Sequence, residues 1–193
     1  MAQQQPAYPV QFSVEYPDKD LDRLSSFFRW IAVIPIAIVL PLVSFGGFLF
    51  APLLMIVFRN KYPRWWFDWD LAVLRFFNRV SVYSYLLRDE YPSTDDEQYV
   101  HLEIPYPDVE RDLNRWLPLV KWFLAIPHYI VLIVLSVVST ILVAIMWFSI
   151  LFTGRIPRPM FDFVVGTMRW FNRVTAYAFL LATDQYPPFR LSP

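Results

Sequence analysis

Two stretches of this chain carry no charged residue: 29 positions from Trp30 to Phe58 and 33 from Trp122 to Gly154. Each exceeds the ~18 uncharged residues that signal a membrane segment, and a chain of 193 residues has room to bury one such helix but not two. The 17 basic and 17 acidic residues all sit on the remaining positions. The chain therefore reads as an integral membrane protein. It contains no cysteine, which excludes a disulfide scaffold and any Cys-based zinc or redox site. Met1 to Pro9 has neither a basic n-region nor a short apolar h-region, so no cleaved signal peptide is expected.

An internal duplication organises the rest. Tyr16-Pro17-Asp18 recurs as Tyr106-Pro107-Asp108 at an offset of 90, and Ile34-Pro35 recurs as Ile126-Pro127 at 92. Pro63-Arg64, Phe67-Asp68 and Arg75-Phe76-Phe77-Asn78-Arg79-Val80 recur at 94, as Pro157-Arg158, Phe161-Asp162 and Arg169-Trp170-Phe171-Asn172-Arg173-Val174. Tyr91-Pro92 returns at 95 as Tyr186-Pro187. The order is kept and the offset drifts slowly, as expected of two tandem copies. The first is placed at residues 8–92 and the second at residues 99–193. Residues 93–98, Ser-Thr-Asp-Asp-Glu-Gln, form a solvated linker between them.

The second copy carries Ala125-Ile126-Pro127-His128, Phe152-Thr153-Gly154-Arg155, Phe161-Asp162-Phe163-Val164-Val165-Gly166, Arg173-Val174-Thr175-Ala176-Tyr177 and Asp184-Gln185-Tyr186-Pro187-Pro188-Phe189. With these motifs the chain resembles a family of prokaryotic membrane proteins known only as domain of unknown function 4389. The first copy is more diverged, with Ile36 where the pattern has His and Arg59-Asn60-Lys61 where it has Thr-Gly-Arg. The resemblance implies a membrane domain and no established activity.

A 33-residue helix is about 50 Å long, against a hydrocarbon core of ~30 Å. One straight crossing fits poorly, and two short crossings fit with tilt or incomplete penetration. Basic residues flank both ends of each run: Arg23 and Arg29 before the first and Arg59, Lys61 and Arg64 after it, then Arg111, Arg115 and Lys121 before the second and Arg155 and Arg158 after it. This pattern places both ends on the cytoplasmic side. The expectation is a helical hairpin in each copy, turning at Ser44-Phe45-Gly46-Gly47 in the first and within Ser136 to Ser139 in the second. The alternative is one kinked crossing per copy, bent at Pro35, Pro41 and Pro52 in the first and at Pro118 and Pro127 in the second.

Arg64 to Leu87, repeated as Arg158 to Leu181, is apolar but carries Asp68, Asp70, Arg75, Asn78 and Arg79. An interfacial amphipathic helix places these charges at lower cost than a span does, with Trp65, Trp66, Trp69, Phe76 and Tyr83 anchored at headgroup depth. Val10 to Tyr16 and His101 to Ile104 alternate apolar and polar residues and read as short strands, pairing with each other or with the chain after each amphipathic helix. The fold class expected is thus an all-α membrane protein with a small cytoplasmic β component, built from two tandem repeats of hairpin plus interfacial helix.

Groups able to do chemistry are few. There are two histidines, no thiol, and no phosphate-binding loop among four glycines. No catalytic residue, metal or cofactor is expected, and the chain is read as a non-enzyme. His128 is the one ionisable side chain within an apolar run. It reads as a proton relay or ligand contact in one account. The plainer account is a neutral imidazole bonded to a carbonyl freed by Pro127, and Ile36 at the matching position of the first copy favours that account. His101 is given no role.

Asp68, Arg75 and Arg79, with Asp162, Arg169 and Arg173, form the most specific polar pattern. The arginines either grip lipid phosphates, as forked donors do, or pair with carboxylates and backbone ends to hold the helix in place. Asn78 and Asn172 join the second account as structural partners. Trp65, Trp66 and Trp170 are the candidate interface aromatics, since tryptophans cluster at the ends of the runs. Zero net charge and the lack of an extended basic cluster exclude nucleic acid as a partner.

The function expected is a non-catalytic scaffold, accessory subunit or membrane-shaping element of the prokaryotic cytoplasmic membrane, multi-pass with cytoplasmic termini. Its partners are lipids and another protein or a second copy of itself. The alternative is an oligomeric channel or transporter with a path at the repeat interface.

Overall fold

A computed structural model describes residues 8–44, 50–94, 96 and 98–193. Strand β1 (Gln11–Val14) pairs antiparallel with β2 (Val100–Glu103), Phe12 standing opposite Leu102. Phe12, Val14 and Leu102 turn inward while Gln11, Ser13, His101 and Glu103 face out, the alternation read from the sequence. Of the two pairings left open, the strands adopt the one with each other.

The helices are α1 (Arg23–Ser44), α2 (Phe50–Arg59), α3 (Arg64–Ser84), α4 (Val109–Asp112), α5 (Lys121–Leu124), α6 (Ile126–Thr153) and α7 (Arg158–Ala178), with a 3-10 turn at Leu117–Leu119 before α5. Their ends are set locally. Pro63 and Pro157 precede α3 and α7, and Pro127 lies in the first turn of α6, where a missing N–H costs nothing. Gly154 closes α6 at φ 75°, a conformation that glycine adopts freely. Asp108 caps α4 by accepting from the Glu110 N–H at 3.2 Å.

The second apolar run is one unbroken helix and not a hairpin. No glycine or proline interrupts Tyr129 to Gly154 before its end, and the expected turn at Ser136 to Ser139 is helical. There the Thr140 hydroxyl donates to the Ser136 carbonyl at 2.9 Å, so the polar side chain is satisfied without breaking the helix. Pro127 starts this helix and does not kink it. In the first run α1 continues through Pro35, and the expected turn at Phe45-Gly46-Gly47 lies outside the described residues. Among the described residues, α6 is the one helix long and apolar enough to cross a membrane.

Three layers result. Helices α3 and α7 form the middle one, the strand pair covers one side of it, and α1 and α6 cover the other. On α7, Phe161, Arg169 and Arg173 meet the β1 segment, at Tyr16, Phe12 and Tyr8. Trp170 and Thr167, on another face of the same helix, meet His128 and Ser139 of α6. At ~100° per residue these two sets lie on well-separated sides of the wheel. The helix expected at the membrane interface is therefore a core helix, with 14 of its 21 residues buried. Arg169 and Arg173 of this helix do not require water or headgroups, because strand and tail carbonyls accept from them.

Candidate functional site

The residues singled out by their polarity converge on the middle layer. Asn78 and Asn172 sit where α3 and α7 cross. Each side-chain amide donates to the other's carbonyl oxygen, at 2.8 and 2.7 Å, and each also donates to the carbonyl one turn back, Leu74 or Met168. Phe77 and Phe171 stack beside them with ring centroids 6.1 Å apart. A fully satisfied pair of this kind fixes one register between two helices that apolar contact alone leaves free to slide.

The arginines point to the strands. Arg75 Nε donates to the Leu102 carbonyl at 3.0 Å, and Arg169 Nε donates to the Phe12 carbonyl, also at 3.0 Å. Each helix thus holds the strand belonging to the other half of the sequence. Arg79 donates to the Ser93 carbonyl, while Arg173 reaches the Arg190 and Ser192 carbonyls of the C-terminal tail. Burial lowers the Arg173 pKa to about 10, with Arg190 and Arg169 nearby adding to the effect. Asp68 and Asp162 are exposed and make no ion pair with these arginines. They pair instead with Arg64 and Arg158, one turn earlier on their own helices.

His128 is fully buried at the start of α6. Its Nδ1 accepts from Trp170 Nε1 at 3.0 Å, and its ring stacks on Phe189 with centroids 4.0 Å apart. The Trp170 indole is therefore inside the protein and not at its surface, because it is the partner of this imidazole. Trp65 is exposed and Trp66 half-buried against the core.

Arg29 and Lys121, expected as basic flanks of the two apolar runs, are instead buried. Arg29 pairs with Asp89 and donates to the Arg88 carbonyl. Lys121 lies 2.8 Å from Asp184 and donates to the Thr183 carbonyl at 2.7 Å. Each cation also stands over a tyrosine ring, Tyr83 or Tyr177. Burial pulls the Lys121 pKa down, and Asp184 opposes that shift. The signal available in sequence was the repeat offset, since Lys121 follows Arg29 by 92 residues and Asp184 follows Asp89 by 95.

Residues 116–190 match the model of a family described as Domain of unknown function (DUF4389). The match is a single copy. It takes in α5, α6 and α7 with Lys121, His128, Trp170, Asn172 and Asp184. No curated protein and no solved structure matches the chain.

Asp70 belongs to the part of the chain outside that match. It is fully buried, its Oδ2 lies 3.4 Å from the Tyr62 hydroxyl, and its Oδ1 has no hydrogen-bond partner. Burial raises its pKa to about 7, against the lowering effect of the Tyr62 hydrogen bond. Ninety-four residues on stands Val164, so this carboxyl has no equivalent in the second half.

Two openings flank Phe77 and Phe171. One is an apolar groove of about 520 Å³, whose walls include Leu40, Val73, Tyr129 and Leu132. The other is a smaller cleft of about 100 Å³ whose otherwise apolar lining includes Ser81, Ser136, Ser139 and Thr167. Among the described residues no group of three His, Asp or Glu side chains is placed to hold a metal ion.

Proposed function

We propose that this chain is a non-catalytic membrane protein, a scaffold or membrane-shaping element that works through lateral contacts with lipid and protein. The observation that carries the reading is the outer face of α6. In its most apolar window only 22% of the residues are buried, so the fold does not use this uncharged 28-residue helix as a core. Water is a costly environment for an apolar surface of that length, whereas lipid is a favourable one. The exposed Phe27, Ile31, Ile34 and Ile38 of α1 extend the same layer.

We also infer that the first half is a diverged copy of the matched second half. The paired contacts support this: Asn78 with Asn172, Arg75 and Arg169 on equivalent strand carbonyls, and Arg29–Asp89 beside Lys121–Asp184. Arg64, Arg155 and Arg158 at the helix ends, each beside an exposed carboxylate, are among the exposed cations that could meet anionic headgroups of the cytoplasmic leaflet.

Membrane fractionation with alkaline carbonate tests the reading. The protein is expected to stay with the pellet and to float with vesicles of phosphatidylcholine and phosphatidylglycerol, changing their shape at high density. Release into the carbonate supernatant would sink it. A channel is the second reading, and the cleft lined in part by Ser136, Ser139 and Thr167 is the feature that favours it. Solute flux in proteoliposomes, reduced by Ser139→Ala, is the result that reading requires.

A further inference from the structure

We propose that α6, with α1 packed against it, lies in the plane of the membrane, sunk into one leaflet, and does not cross it. This rests on the membrane reading above and concerns only how the protein meets the bilayer.

The argument starts from what is tied to each end of α6. The segment Tyr8 to Tyr16 contains β1. At one end of it, the Tyr8 hydroxyl donates to the Gln185 carbonyl, and the next residue, Tyr186, donates to the carbonyl of Leu124, just before α6 begins. At the other end, the Tyr16 hydroxyl donates at 2.6 Å to the carbonyl of Ile156, just after α6 stops. Nine extended residues span at most ~30 Å, and tyrosine side chains at both ends make up the difference to a helix of about 42 Å. The strand segment therefore runs alongside α6 for its length, with α7 between them.

The centres coincide as well. Ser139, midway along α6, lies 3.4 Å from the Thr167 hydroxyl. Two residues further along α7, Arg169 holds the carbonyl of Phe12, in the middle of β1. The strand pair is thus level with the middle of α6, on the far side of the middle layer.

Were α6 to cross a bilayer, that strand pair would stand at the depth of the hydrocarbon centre. It exposes Gln11, Ser13, His101 and Glu103, and a two-stranded sheet leaves backbone donors and acceptors open along its outer edges. Hydrocarbon offers such groups no partner, which is why only helices and closed barrels span membranes. With α6 in the plane, the same polar surface points to water and the apolar layer points to lipid. Charged pairs then mark both ends of the helix at one level, Lys121–Asp184 before it and Asp20–Arg155 after it. An insertion of this kind occupies area in one leaflet only, which supplies a physical route to membrane curvature.

The absence of native cysteine allows single-cysteine labelling of the full chain. Nitroxides at Ile130→Cys, Val137→Cys and Ile145→Cys, all exposed positions on the outer side of α6, report depth in phosphatidylcholine–phosphatidylglycerol vesicles through their accessibility to oxygen and to a polar nickel complex. The three are expected at one depth within a few ångströms, although they span about 22 Å along the helix. An impermeant maleimide applied to the two faces of native membranes is expected to label Trp116→Cys and Arg155→Cys, exposed positions just beyond the two ends of α6, from the same face. A monotonic depth gradient, or labelling from opposite faces, would overturn in-plane insertion and leave the membrane reading standing. Failure of the unaltered protein to float with the vesicles would overturn the membrane reading itself.

Discussion

Asn78 and Asn172, 94 residues apart in sequence, donate to each other across the crossing of α3 and α7. Both are buried, and each amide nitrogen spends its second proton on its own helix. The pair is closed on itself, so removing one member strands the other.

Asn78→Leu or Asn172→Leu alone is expected to destabilise the protein by about 1–3 kcal/mol, the cost of leaving a buried amide unpaired. The double substitution removes both polar groups together and is expected to cost clearly less than the sum of the two. Denaturant unfolding in detergent of the four proteins in a double-mutant cycle measures the coupling, and simple additivity would show that the two amides do not act as a unit.

Asp70 makes stability depend on pH. Its carboxyl titrates near 7 when folded and near 3.8 when unfolded, so between those values the native state binds more protons. Stability is then at its fullest below about pH 4 and falls as the pH rises to 7, by about 1.4 kcal/mol per unit at most. Asp70→Asn is expected to flatten that slope and to raise stability at pH 8 by about 2–4 kcal/mol. Melting curves of both proteins between pH 4 and 8 check this, and parallel curves would refute the assignment.

The recurring offsets made much of this visible in advance, because they set Asn78 against Asn172 and Arg75 against Arg169 before any contact is known. Asn78, Asn172, Arg75 and Arg169 were legible as a pattern, and so were the two strands. Their partners were not, since a backbone carbonyl such as that of Phe12 or Leu102 leaves no trace in residue identity. The unbroken α6 departs from the expected hairpin for a different reason. Length against a bilayer argues for a turn only if the helix crosses the bilayer, and nothing between Tyr129 and Phe152 supplies a breaker. Trp170 looked like an interfacial anchor from its neighbours in sequence, while its role depends on His128, 42 residues away.

Lys121 is fully buried beside Asp184, whose side chain retains some access to solvent. Lys121→Met keeps the apolar stem but leaves that carboxylate without its cation, at a cost of about 2–4 kcal/mol. Lys121→Met combined with Asp184→Asn is expected to recover part of the loss. Thermal unfolding of the single and double variants measures it, and an equal loss in both would mean that the ammonium's bond to the Thr183 carbonyl, not its pairing with Asp184, is what the site requires.

Gly166 lies under the C-terminal tail. A Cβ built there stands 2.9 Å from Leu191 Cβ and 3.2 Å from its carbonyl oxygen. The oxygen cannot retreat freely, because Arg169 donates to it at 2.7 Å and Arg173 holds the carbonyls on either side. Gly166→Ala is therefore expected to lift the tail from α7 while the helix itself, which gains a better helix former, stays intact. The predicted net loss is about 1–3 kcal/mol, the usual range for overpacking at a site with little room to relax. Limited proteolysis reads the distinction directly: cleavage beyond Pro188 should accelerate at least several-fold in the variant, with the cuts elsewhere unchanged. Uniformly faster digestion would place the damage in the core and not at the tail.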